Sequence, residues 1–155
     1  MHSNKIVLDT EILLMSLLSP KNLNEEIKTA ISQAQNSNNL YISAISLWQI
    51  AKLVEQKQLH LYARLTDFLN NITNIEGLSL IQINANIASE SVALPGNFSG
   101  DSTIAIIVAS TRELAATLIT NDQIAISWAN QGYLKIITEK NTTEQNADDK
   151  SVEIL

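Results

Sequence analysis

The sequence predicts an α/β protein with a central parallel sheet of about five strands, covered by helices on both faces as a three-layer α/β/α domain. Short aliphatic runs alternate with longer segments of helical periodicity along nearly the whole chain. These runs lack the polar alternation of half-exposed strands, as expected for strands that are buried on both sides. With 155 residues, 45% of them hydrophobic, the chain has the size of one such domain.

Strands are predicted at the aliphatic runs, near residues 5–8, 40–42, 78–83, 117–120 and 133–137. Helices are predicted between them, at about residues 10–18, 23–35, 43–58, 61–72, 84–93, 102–114 and 124–129. Thr10 is expected to cap the first helix, and the segment from Ser46 to Gln49 fits a capping box. Trp48 shares helical spacing with apolar neighbours and is expected in the core.

The chain is predicted to contain one domain, residues 1–138, followed by a polar acidic tail, residues 139–155. The composition of the tail is typical of disordered segments. There is no cysteine, which excludes disulfides and thiolate metal sites. No run is long and apolar enough to span a membrane, and the N-terminus does not resemble a signal peptide, so a cytoplasmic location is expected.

Three acids occupy positions where a parallel sheet binds ligands. Asp9 and Asp122 come after predicted strands, and Asp101 begins the predicted helix that leads into the fourth strand. A site made of carboxylates, without His or Cys, suits Mg²⁺ or Mn²⁺. The net charge of −6 disfavours a negatively charged phosphodiester substrate, but a bound cation would reverse the local field. Each acid is equally well explained as a helix N-cap. From position alone, both interpretations stay open.

Three segments resemble VapC-type PIN domains in order and spacing. They are IVLDTEILLMSLL at residues 6–18, SAISLWQIAKLVEQKQL at residues 43–59 and LPGNFSGDSTIAIIVASTRELAATLITND at residues 94–122. The resemblance implies the PIN fold and a metal-dependent ribonuclease that acts as the toxin of a toxin–antitoxin pair. It also implies RNA as the substrate, an antitoxin protein as a partner, and a homodimer.

The same resemblance implies a catalytic set of Asp9, Asp101, Asp122 and Gln49, in which the three aspartates hold Mg²⁺ or Mn²⁺. Two departures reduce the charge of this set, because Gln49 stands where the family has Glu and Ile104 stands where it has a second Asp. The metal is therefore expected to bind weakly. Asp101 lies one helical turn before Ile104 and would compensate in part. Glu11 either leans toward the site or is simply an exposed acid of the first turn.

Two functions from different classes follow. The first is a VapC-like endoribonuclease of weakened activity that requires Mg²⁺ or Mn²⁺. The alternative is a catalytically inactive PIN-like domain that acts by binding RNA or an antitoxin protein. His2 and His60 have no partner at metal-ligand spacing, and no role is expected for either.

Overall fold

The computed structural model describes residues 4–139, which fold around one sheet of five parallel strands. The predicted fold class is confirmed, and the first and last residues of each strand lie within two residues of the predicted ones. In chain order the strands are β1 (Ile6–Leu8), β2 (Leu40–Ser43), β3 (Leu78–Ile81), β4 (Thr117–Ile119) and β5 (Lys135–Ile137). Their order across the sheet is β3-β2-β1-β4-β5, so β1 lies at the centre.

Seven α-helices connect and cover these strands within the described range. They are α1 (Thr10–Leu18), α2 (Glu25–Asn36), α3 (Ala44–Glu55), α4 (Leu65–Thr73), α5 (Ala85–Ser91), α6 (Ser102–Glu113) and α7 (Gln123–Trp128). A 3₁₀ turn (Pro20–Asn22) follows α1, and a π-helical turn (Ala129–Tyr133) follows α7. No helix within residues 4–139 is long and apolar enough to cross a membrane.

The two faces of the sheet support two separate hydrophobic clusters. In β1, Ile6 and Leu8 belong to one cluster and Val7 to the other, because successive side chains of a strand point to opposite faces. The first cluster includes buried residues of α1, α2 and α4, and the second includes buried residues of α5, α6 and α7. This is the three-layer arrangement that the sequence predicts.

Two predicted helix caps are wrong, and one helix begins later than predicted. Asp9, not Thr10, is the N-cap of α1, and its side chain accepts a hydrogen bond from the Ile12 N–H. The capping box at Ser46 does not form, because β2 runs directly into α3 and Ser43 caps that helix instead. The helix predicted from residue 61 begins only at Leu65, after an irregular segment.

Trp48 is 54% exposed, so its expected place in the core is also wrong. The fully buried residues of α3 are Ser46 and Ile50. Trp48 lies two residues from each, a little over half a helical turn, and therefore points away from the sheet. His60 packs edge-on against Tyr62 at a centroid distance of 5.1 Å, and His2 lies outside the described residues.

Only the first residue of the predicted tail lies within the described residues. Glu139 is half-buried, and its carboxylate accepts hydrogen bonds from the Asn24 N–H at 3.2 Å and the Asn121 side-chain amide at 3.4 Å. Glu139 is therefore packed against the domain rather than separate from it. The remainder of the predicted tail, residues 140–155, lies outside the described residues.

We predict that Gly77→Ala destabilises the protein more than Gly132→Ala. Both glycines have positive φ, at +82° and +98°, so alanine is strained at either position. A Cβ at Gly77 would lie only 2.2 Å from the Gln35 carbonyl oxygen, whereas at Gly132 it would meet no atom of residues 4–139 within 4 Å. We expect a loss of about 1 kcal/mol at Gly132 and about 3 kcal/mol at Gly77, measured by urea unfolding. Equal losses would contradict the close backbone contact at Gly77.

Candidate active site

The strand order reverses beside β1. The chain passes from β1 to β2 on one side and later returns to β4 on the other, so the direction of the crossovers reverses between β1 and β4. Open parallel sheets bind their ligands at such a reversal, outside the carboxyl ends of the strands. Asp9 follows β1 directly, and its N–H donates to the Ile119 carbonyl at the end of β4 at 3.2 Å. Asp9 therefore lies at the edge where a ligand is expected to bind.

Asp9 is a buried carboxylate, with only 5% of its surface exposed. Its Oδ1 accepts a hydrogen bond from the Ile12 N–H at 2.8 Å, which caps α1. Its Oδ2 accepts one from the Thr120 hydroxyl at 2.5 Å, across the gap between β1 and β4. Both oxygens are thus fixed in position by neighbours on two different elements.

Thr120 joins Asp9 to Asp122. While its hydroxyl donates to Asp9, the same oxygen accepts a hydrogen bond from the Asp122 N–H at 3.0 Å. Asp122 in turn caps α7, because its Oδ1 accepts from the Ala125 N–H at 2.8 Å. The structure therefore brings the first and the last of the predicted acids together. Thr120 was not among the predicted site residues. Its position in the sequence, between the end of β4 and Asp122, could have indicated that it belongs to the site.

The surroundings of Asp9 raise its pKa from the ordinary 3.8 to about 6. Burial is the largest cause, because it penalises the charged form, and the negative charges of Glu11 and Asp122 act in the same direction. The hydrogen bonds from Ile12 and Thr120 lower the pKa but do not offset burial. Glu11 is exposed yet close enough to act on Asp9, which places it at the margin of the site.

Asp101 occupies the same edge of the sheet but is not joined to this pair. It is exposed and caps α6 through a hydrogen bond from the Ile104 N–H at 3.0 Å. Since α6 ends just before β4, its N-terminus lies at the carboxyl edge. Within residues 4–139, no group of three or more Asp, Glu, His or Cys side chains is placed to hold a metal ion directly. The expected three-aspartate set is not assembled as direct ligands of one ion.

The family assignment follows from comparison of the whole chain. Residues 6–128 match the model of the PIN domain. The chain belongs to the PIN domain family. Ribonuclease VapC22 of Mycobacterium tuberculosis is 30% identical to it over 100 residues, which cover 64% of this chain and 75% of the relative.

Solved structures show the same fold. A toxin–antitoxin complex from Klebsiella pneumoniae matches with 23% identity and a TM-score of 0.51, over 76% of this chain and 87% of the other. VapBC2 from Rickettsia felis, bound to a DNA fragment from its promoter, matches with 17% identity and a TM-score of 0.58, over 86% of this chain and 97% of the other. VapBC-1 from nontypeable Haemophilus influenzae matches with 19% identity and a TM-score of 0.58, over 86% and 96%.

Two residues of this PIN domain stand where the resemblance places acids. Gln49 is half-buried on α3, three residues after Ser46, whose hydroxyl accepts a hydrogen bond from Thr10 at 2.9 Å. Residues three apart share a helix face, so Gln49 lies on the side of α3 that contacts α1 through Thr10, the residue after Asp9. Ile104 is 9% exposed and belongs to the hydrophobic cluster beneath α6. It offers no ligand atom.

The oxygen atoms of the PIN domain site fit a hard divalent cation. Mg²⁺ is commonly held by one or two carboxylates and keeps several of its waters. Asp9 and Asp122 satisfy that minimum, and the sequence has no Cys that would favour a softer metal. The raised pKa of Asp9 also fits a cation site, because a bound cation would offset the free-energy cost of the buried charge of Asp9.

We predict that Asp9→Asn stabilises the PIN domain at pH 8 by up to about 3 kcal/mol. The pKa of Asp9 is about 6 when folded against 3.8 ordinarily, so the folded state holds the proton more tightly. The free energy of unfolding therefore falls as pH rises between these values and is constant above them. Asparagine removes the charge and keeps the cap of α1.

The measurement is urea unfolding of both proteins at pH 8 and pH 4, without divalent metal. The advantage of Asp9→Asn should disappear at pH 4, where wild-type Asp9 is neutral. Asp67→Asn, at an exposed acid in the first turn of α4, is the matched control and should change little at either pH. A variant less stable than wild type at pH 8 would contradict the dominance of burial over hydrogen bonding at Asp9.

Proposed function

We propose that this PIN domain is a VapC-like metal-dependent ribonuclease, the toxin of a toxin–antitoxin pair that acts in the cytoplasm. The observation that carries the proposal is the pair Asp9 and Asp122, joined by Thr120 at the carboxyl ends of β1 and β4. The curated relative VapC22 is named as a ribonuclease, which supports the same chemistry. Asp9, Asp101, Asp122 and Gln49 form the proposed catalytic set.

Asp9 and Asp122 would hold Mg²⁺ or Mn²⁺, with Asp101 contributing through a water molecule. When bound, the cation would lower the pKa of a coordinated water and neutralise charge on the phosphodiester. With Gln49 and Ile104 in place of acids, the ion is expected to bind weakly, since two negative charges are missing. Gln49 would contribute only a neutral amide oxygen.

The side chains of the site position this chemistry. Thr120 fixes one oxygen of Asp9 and the backbone of Asp122, so the distance between the two acids depends on one buried hydroxyl. With a pKa of about 6, Asp9 is mostly ionised at neutral pH and ready to accept a cation. The N-termini of α1 and α7 lie at the same edge but are capped by Asp9 and Asp122, so a bound cation is what would favour an RNA phosphate in spite of the net charge of −6.

An antitoxin protein is the proposed partner. One of the similar solved structures, from Klebsiella pneumoniae, is named as a toxin–antitoxin complex. Large hydrophobic side chains are exposed on α1 and α3, two helices that contact each other: Leu17 (38%), Leu18 (47%) and Trp48 (54%). Exposed apolar residues on adjacent helices suit a protein interface. A homodimer remains part of the proposal through the resemblance.

We predict that the purified protein cleaves RNA in the presence of Mn²⁺ or Mg²⁺ and that Asp122→Asn reduces the rate by about 10-fold to 100-fold. Asparagine is a good N-cap, so α7 should keep its beginning while the site loses a charge. Gel analysis of cleaved RNA, with Asp67→Asn as the control, measures the effect. Binding of RNA or antitoxin without cleavage at any metal concentration would replace this proposal with the inactive PIN-like domain.

We also predict opposite effects for the two substitutions that restore the family's acids. Gln49→Glu adds a carboxylate on the face of α3 toward Asp9 and should strengthen Mn²⁺ binding at small structural cost. Ile104→Asp places a charge in an apolar cluster and should cost about 3 kcal/mol without metal.

Thermal melting with and without Mn²⁺ distinguishes these effects, and Ile104→Asn separates loss of packing from the cost of charge. Stabilisation by Mn²⁺ should be larger in Gln49→Glu than in wild type, because a ligand stabilises the state that binds it. If Ile104→Asp melts like wild type without metal, residue 104 does not pack as described. If Gln49→Glu leaves Mn²⁺ binding unchanged, Gln49 does not face the ion.

A further inference from the structure

A cavity of about 300 Å³ is lined in part by residues that lie within two positions, along the chain, of the acids that cap α6 and α7. One wall is the loop of residues 97–99, which ends two residues before Asp101. The other wall is formed by α7 and the π-helical turn, beginning at Gln123, the residue after Asp122. The cavity therefore opens at the edge of the sheet where the proposed cleavage occurs.

The lining of the cavity is polar but uncharged. Among its residues, all within the described range 4–139, there is no acidic or basic side chain. Three of them carry carboxamides: Asn97, Gln123 and Gln131. A carboxamide both donates and accepts hydrogen bonds, as the edge of a nucleobase does, and the cavity lacks the basic side chains that pair with phosphates and the acidic ones that hold metal ions. This chemistry selects a neutral, planar, hydrogen-bonding ligand.

The carboxamides of the cavity are largely available to a ligand. Of the side chains that the structure describes, those of Asn97 and Gln131 are exposed and make no hydrogen bond within the protein. Gln123 uses one N–H on the Asn121 carbonyl at 3.1 Å, which leaves its carboxamide oxygen for another partner. Ile124, 41% exposed, adds an apolar surface against which a base can pack.

The aromatic wall of the cavity is rigid. The indole N–H of Trp128 donates to the Pro95 carbonyl at 2.7 Å, and the ring stacks on Tyr133 at a centroid distance of 5.0 Å. Phe98 packs edge-on against Trp128 at 5.3 Å, and the guanidinium of Arg112 lies over the indole at 5.6 Å. A wall that is already ordered loses little conformational entropy when a ligand binds.

We propose that this cavity binds one nucleobase of the RNA strand, next to the phosphodiester at Asp9 and Asp122. Its volume is near the lower end of the range of about 300–1,000 Å³ for small-molecule pockets, which suits a single base. Unstacked bases of single-stranded RNA are recognised in this manner, by hydrogen bonds to their edges and contact with their faces. The inference rests on the proposed ribonuclease function and assigns a base preference to the same site.

Binding is tested with the four ribonucleoside 5′-monophosphates and with ribose 5-phosphate, which lacks the base. The chain has two tryptophans, so Trp48→Phe leaves Trp128 as the only indole reporter in the wall of the cavity. We expect at least one mononucleotide to change the Trp128 fluorescence with saturation, and ribose 5-phosphate not to do so. An equal response to ribose 5-phosphate would overturn the base pocket.

Two substitutions in the same background remove carboxamides. Asn97 has φ 57°, which glycine adopts without strain, so Asn97→Gly and Gln131→Ala should both fold. Each should weaken the preferred mononucleotide about five-fold, the effect of one hydrogen bond. Gln33→Ala, at an exposed glutamine near the amino ends of β1 and β4, is the control and should bind like its parent. Unchanged affinity in both cavity variants would overturn the proposal.

Sequencing the ends of cleaved RNA separates this inference from the proposed function. If Asn97→Gly and Gln131→Ala shift the nucleotide preferred beside the cut, both stand. If the two variants cleave RNA with an unchanged nucleotide preference, the base pocket is overturned and the proposed ribonuclease function stands. Mononucleotide binding in a wild-type protein that never cuts RNA overturns the ribonuclease proposal and supports the base pocket.

Discussion

The hydrogen bonding of the buried Asp9 carboxylate is the constraint on which the site depends. β1 is the central strand, so a side chain at its carboxyl end has sheet on both sides and little access to water. A carboxylate in such a place must be hydrogen-bonded to be tolerated. Ile12 and Thr120 supply the two hydrogen bonds, and within residues 4–139 no buried polar side-chain atom lacks a partner. The hydrogen bonds of Asp9 thereby fix the position of the α1 N-terminus and, through Thr120, that of Asp122.

Most of the fold could be predicted because its elements depend on local patterns. Strands buried on both faces are continuous aliphatic runs, and the parallel sheet requires the helices between them. Asp9, Asp101 and Asp122 are N-caps as the sequence allowed, and the pairing of Asp9 with Asp122 follows from adjacent parallel strands. Thr120 was missed because it reads as the last residue of a strand, whereas its hydroxyl is used just beyond β4.

The remaining differences come from helix phase and tertiary contacts, which a single sequence does not determine. Trp48 looks like a core residue by spacing, yet the buried face of α3 carries Ser46 and Ile50 and leaves Trp48 outward. Asp101 reaches the correct edge, but its distance from Asp9 depends on the irregular loop before α6. Glu139 was assigned to the tail by composition, and only its hydrogen bonds with Asn24 and Asn121 show that it packs on the domain.

The alternation of side chains along β1 and β4 divides the hydrophobic core into two clusters on opposite faces of the sheet. The layer of α5, α6 and α7 carries the cavity beside Asp122, and α1 carries two of the exposed hydrophobic residues, Leu17 and Leu18. Substitutions far apart in a protein usually act independently. Under the proposed function, the surface that would select RNA could change without the surface that would bind an antitoxin, so that substrate and partner would diverge at separate rates.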